Sequence, residues 1–131
     1  MSQTERLPAW FVVFQDANRI FVHRWLKPGF RHCWAFAWDE PAGRWLVFEP
    51  LFDGMFLRTV DGDLMGATIA QPGNTIVLAQ CEYAVATRPA LLATCVSAMQ
   101  ALLGLRSRRA LTPYGLYRTL LASGAVVVRE A

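Results

Sequence analysis

Three cysteines, Cys33, Cys81 and Cys95, and two histidines, His23 and His32, are the residues of this 131-residue chain best suited to nucleophilic chemistry. A thiol attacks a carbonyl as its thiolate, and a free cysteine with a pKa of about 8.5 is mostly protonated at neutral pH. The N-terminus of a helix lowers that pKa through its unpaired N–H groups and dipole, and a nearby imidazole completes the activation as an ion pair. The same N–H groups can hold the oxyanion formed when a carbonyl is attacked. Cys95 alone stands at the head of a helical pattern, one residue after Thr94 in TCVSAMQALLG (94–104). Cys33 falls in mid-strand and Cys81 near the end of one, where no dipole helps. Against this stands the commoner fate of a free cysteine, burial in the core, since Cys95 shares a helical face with Met99 and Leu102.

Of the two candidate bases His32 is preferred, because it opens the clearest hairpin of the chain and the partner strand of that hairpin carries a carboxylate, Glu49. Counting back from the turn DEPAG brings Glu49 about level with His32, to within one residue of register. A carboxylate there could hold the imidazole and fix its tautomer. Each residue also has an ordinary reading: a histidine at a strand start is usually a satisfied surface residue, and Glu49 before Pro50 can simply end a strand. His32 and Cys33 are adjacent, yet alternation along a strand sends them to opposite faces. Cys33 is therefore read as a bystander packed with Ala35 and Ala37. The Cys and His spacings do not match structural zinc, and no glycine-rich loop follows a strand, so neither metal nor cofactor is implied.

These residues need a sheet and a helix to bring them together. WFVVF (10–14) and RIFVHRW (19–25) flank QDAN as a first hairpin, and FRHCWAFAW (30–38) and RWLVFEP (44–50) flank DEPAG as a second. MFLRTV (55–60) and NTIVLAQCEY (74–83) continue the strands, so about five precede any helix. Then the period changes. A helix over 94–104 is capped by Thr94 and stopped by Gly104; a second over 112–124 has Thr112 as cap, Pro113 at its first position and Gly124 as stop. AVVVRE (125–130) reads as a closing strand or an apolar tail. The expected class is α+β, an antiparallel sheet packed against the Cys-bearing helix and a second short helix, in one domain over 1–131.

Composition agrees with one folded domain: 54% of residues are hydrophobic and 18% charged, enough apolar surface to offset the entropy of ordering. Five Trp and eight Phe leave open an aromatic surface for a partner. The net charge is +3, and the one arginine cluster, Arg106, Arg108 and Arg109, is too small for a nucleic-acid stripe. No run approaches the roughly 20 apolar residues of a membrane span, and the N-terminus lacks the pattern of a signal peptide. The expectation is a chain made and kept in the cytoplasm, or carried in a virion, with reduced thiols.

A strand carrying His, a neighbouring strand carrying a polar residue and a helix opening with Cys resemble the circularly permuted papain-like arrangement of the NlpC/P60 superfamily, in which His precedes Cys along the chain. TCVSAMQALLGL and TPYGLYRTL in particular are similar to segments of small phage and prophage proteins of this type. The resemblance spans 30–121 and implies Cys95 as nucleophile, His32 as general base and Glu49 as orienting residue. It departs from the commoner permuted members at Thr94, where they carry Asn, and at Glu49, where they often carry His, Asn or Gln. The activity implied is cleavage of peptide or amide bonds, often in peptidoglycan, or acyl transfer, on a peptide or peptidoglycan-like partner. The competing expectation is a papain-like shell without catalysis, a structural or adaptor piece among other phage structural proteins.

Overall fold

β-branched and aromatic runs become strands in the computed structural model, which describes residues 9–16, 26–51, 54–81, 95–103 and 112–130. The elements are β1 (Ala9–Gln15), β2 (His32–Asp39), β3 (Arg44–Leu51), β4 (Gly54–Val60), α1 (Leu64–Ala70), β5 (Thr75–Gln80), α2 (Cys95–Leu103), α3 (Pro113–Ala122) and β6 (Val126–Arg129). The strands form one sheet in the order β4-β3-β2-β1-β5-β6, antiparallel throughout. The fold is α+β, as the change of period along the sequence implies.

The hairpin around DEPAG forms with Asp39 paired to Arg44. Its turn closes through the Gly43 N–H donating to the Asp39 carbonyl at 2.8 Å, with Gly43 at φ +64°, a left-handed conformation that favours glycine. β1 pairs with β2 on one side and β5 on the other. The run 19–25 itself lies outside the described residues.

A correction is α1, which interrupts the strands where the sequence suggests only turns. The Asp63 side chain accepts from the Gly66 N–H at 2.9 Å and so caps its first turn. Thr68 Oγ1 donates to the Leu64 carbonyl at 2.7 Å, and the helix ends before Pro72. α3 matches expectation, with the Thr112 hydroxyl accepting from the Gly115 N–H at 3.0 Å and Pro113 at the first position. The chain then turns at Gly124, φ +97°, into β6, which settles the tail as a strand.

Both faces of the sheet are covered, and β1 shows it: Val12, Val13 and Phe14 are all fully buried. On one face Phe14, Cys33, Ala35, Val77 and Ala79 pack against Val96, Met99 and Leu103 of α2 and Leu116 and Leu120 of α3. On the other, Val13, Phe36, Val47 and Ile76 are covered by Trp34, Trp45 and, from α1, Leu64 and Met65. The continuous apolar run WFVVF follows from this double burial.

Candidate active site

Val96, Met99 and Leu103 are spaced as one face of α2 and anchor it on the sheet. That anchoring turns Cys95, the first residue of the helix, against the same layer, where it packs on the core cluster that contains Cys33. Cys95 is partly exposed, whereas Cys33 is fully buried. The Thr94 cap lies outside the described residues.

The sulfur of Cys95 is acidified from its ordinary 9.0 to about 5, first by a hydrogen bond from the Cys33 thiol. Burial pushes the other way. A hydrogen bond from the His32 side chain, another from the Cys33 backbone N–H and the charge of His32 then add to the lowering. The Cys33 thiol moves oppositely, well above its ordinary value, because it donates to Cys95, is buried, and feels the Cys95 charge. The two shifts are opposite in direction: the charged form is favoured on the partly exposed Cys95 and disfavoured on the fully buried Cys33.

This corrects the reading of Cys33 as a bystander. It does lie with Ala35 in the core layer, with Ala37 packed against that layer. The sequence lacked one fact: α2 lies on that face, so the residues next to Ala35 are also next to Cys95. Alternation would put His32 on the Trp34 side, yet its imidazole interacts with the Cys95 sulfur too. His32 is the first residue of β2, preceded by a bend.

His32 Nε2 stands 3.7 Å from Glu49 Oε2. The β2–β3 register, continued past Ala35↔Phe48, sets Glu49 opposite Trp34 and diagonal to His32, a two-residue offset that long side chains span. Nε2 is buried and makes no hydrogen bond; at 3.7 Å the Glu49 carboxylate is within ion-pair range of it but beyond hydrogen-bond distance. The other Glu49 oxygen, Oε1, lies 3.9 Å from Arg58 Nη2 on β4, a loose and largely solvated pair. Cys95, His32 and Glu49 thus lie in one neighbourhood with Cys33, with Glu49 two residues out of register with His32 rather than level with it.

Cys81 stands apart. Its thiol donates to the Leu102 carbonyl at the far end of α2, at 3.5 Å, and burial raises its pKa. Among the described residues no three His, Cys, Asp or Glu side chains are grouped to hold a metal ion. Nor, among them, is any helix long and apolar enough to cross a membrane. No match to the chain is found among protein-family models, curated proteins or solved structures.

Proposed function

We propose that this chain is a papain-like cysteine hydrolase acting on peptide or amide bonds, with peptidoglycan peptides as a candidate substrate. The observation that carries the reading is the placement of the partly exposed Cys95 at the head of α2, where His32 and Cys33 lower its pKa and His32 Nε2 stands 3.7 Å from Glu49 Oε2. In this mechanism the thiolate attacks the amide carbonyl carbon, and the Cys95 backbone N–H donates to the resulting oxyanion. His32 gives its proton to the leaving amine as the C–N bond breaks, which leaves a thioester. Water, deprotonated by His32, then displaces the sulfur and releases the acid. Glu49 stabilises the imidazolium and keeps one ring nitrogen turned to the sulfur. The chain order, His before Cys, supports the resemblance to permuted papain-like proteins of phages. Such an enzyme would work in the cytoplasm of the producing cell or from a virion.

Alkylation tests the thiolate. At about pH 6, between the sulfur's pKa of about 5 and its ordinary 9.0, iodoacetamide should label the folded wild type at one site and fail to label Cys95→Ala. Equal labelling of the two proteins would end the case for an activated thiol. Release of new amines from peptide or peptidoglycan substrates, absent in Cys95→Ala, would then identify the bond.

A non-catalytic structural or adaptor role is favoured by a different observation. The edge strand β4 exposes Met55, Phe56 and Leu57 at 63, 46 and 65%. An unreactive Cys95 together with self-association or partner binding through β4 would favour this second reading.

A further inference from the structure

The two thiols that meet at the head of α2 differ in access. Cys33 is fully buried in the core layer, whereas Cys95 is partly exposed and packs against that layer from the helix end. An oxidant arriving from solvent reaches Cys95 first. We propose that Cys33 is a resolving thiol: when a hydroperoxide oxidises Cys95, Cys33 closes a reversible disulfide with it, which shields the nucleophile and switches the site off. This deepens the hydrolase reading and rests on its Cys95 thiolate.

The chemistry balances in two steps. The Cys95 thiolate attacks the peroxide hydroxyl oxygen, the O–O bond breaks, and the leaving oxygen takes a proton from solvent and departs as water or alcohol, leaving a sulfenic acid. The Cys33 sulfur then attacks the Cys95 sulfur; the S–O bond breaks, the oxygen leaves as water and takes up the Cys33 proton, and the S–S bond forms. The site favours the second step once the first has occurred. Cys33 holds its proton partly because of the Cys95 charge and its hydrogen bond to that sulfur. A sulfenic acid is neutral, so oxidation removes that restraint, and His32, which also interacts with the Cys95 sulfur, can relay the Cys33 proton to the leaving oxygen. Bond formation draws the two sulfurs from hydrogen-bond contact to about 2.05 Å. The adjustment falls on the first residue of α2, ahead of the Val96, Met99 and Leu103 anchors. Cys81 is an internal control: its thiol is tied to the Leu102 carbonyl, seven residues along α2 from Cys95 and therefore about 10 Å away.

The experiment treats the reduced full-length chain with hydrogen peroxide, caps remaining thiols with a maleimide, and reads intact mass and digested peptides. Wild type should lose two hydrogens, keep one cappable thiol, Cys81, and yield a linked Cys33–Cys95 peptide that dithiothreitol reverses. In Cys33→Ser, Cys95 should instead gain oxygens to the sulfinic and sulfonic states, which dithiothreitol does not reverse. A second measurement needs no variant: phenylarsine oxide, which bridges close thiols, should protect Cys33 and Cys95 together and leave Cys81 open. Overturning results are oxygen uptake at Cys95 equally fast in wild type and Cys33→Ser with no linked peptide, or a wild type that phenylarsine oxide does not bridge. If Cys95 alkylates readily at low pH yet no disulfide forms, the switch fails and the thiolate stands. If the disulfide forms but no amide is cleaved, the hydrolase reading fails and the switch stands.

Discussion

Cys95 owes its low pKa to a neighbour more than to its helix: the Cys33 thiol, driven by burial and by the adjacent charge to keep its proton, donates that proton to the sulfur as a hydrogen bond. A folded-state pKa of about 5 against an ordinary 9.0 means that, between those values, the unfolded chain binds a proton that the native chain does not. Stability from this group is therefore fully present above pH 9, declines as pH falls through the window and is gone below about 5. Cys33 has the opposite sign, since its raised pKa makes the native state retain a proton at alkaline pH that the unfolded chain gives up. Urea titrations should show the stability advantage of wild type over Cys95→Ser widening as pH rises through that window. A constant difference would mean that the native sulfur is uncharged. His32 and Glu49 were legible because a base and a carboxylate on partner strands of one hairpin have few places to go. The part of Cys33 was not, because alternation assigns a residue to a face without saying what covers the face.

At the scale of elements, the best-written feature is α3, whose cap, first-position proline and terminal glycine all occur where the chain turns. Thr112→Ala removes the acceptor of the Gly115 N–H and should cost about 1 kcal/mol in chemical denaturation, with Thr112→Ser close to wild type. A loss shared equally by the serine variant would assign the effect to the threonine methyl rather than to the cap. α1 escaped notice for a related reason. Seven residues make two turns, too few to display a period, and Gly66, Thr68 and Ile69 lower its intrinsic propensity. It forms because Asp63 caps it and because Leu64 and Met65 cover the second face of the sheet.

Seen as a whole molecule, the sheet is covered on both faces but ends at β4 in an edge whose Met55, Phe56 and Leu57 meet solvent. An edge of this kind offers unpaired backbone groups and apolar surface together. Met55→Lys combined with Leu57→Lys should lower self-association in light scattering and leave the melting temperature nearly unchanged; a large loss of stability would show instead that these side chains support the fold. Local sequence is enough to place most of the described strands, the helices that begin at Cys95 and Pro113 and the α+β class, and to single out Cys95, His32 and Glu49 as candidates. Those depend on local periodicity, caps, turns and a short hairpin register. Tertiary packing sets β1 between β2 and β5 and lays α2 over the Cys33 face. Each is a choice among partners distant in sequence, settled by which apolar surfaces bury each other. The HC dipeptide therefore could not reveal from sequence that its cysteine, as well as its histidine, interacts with Cys95.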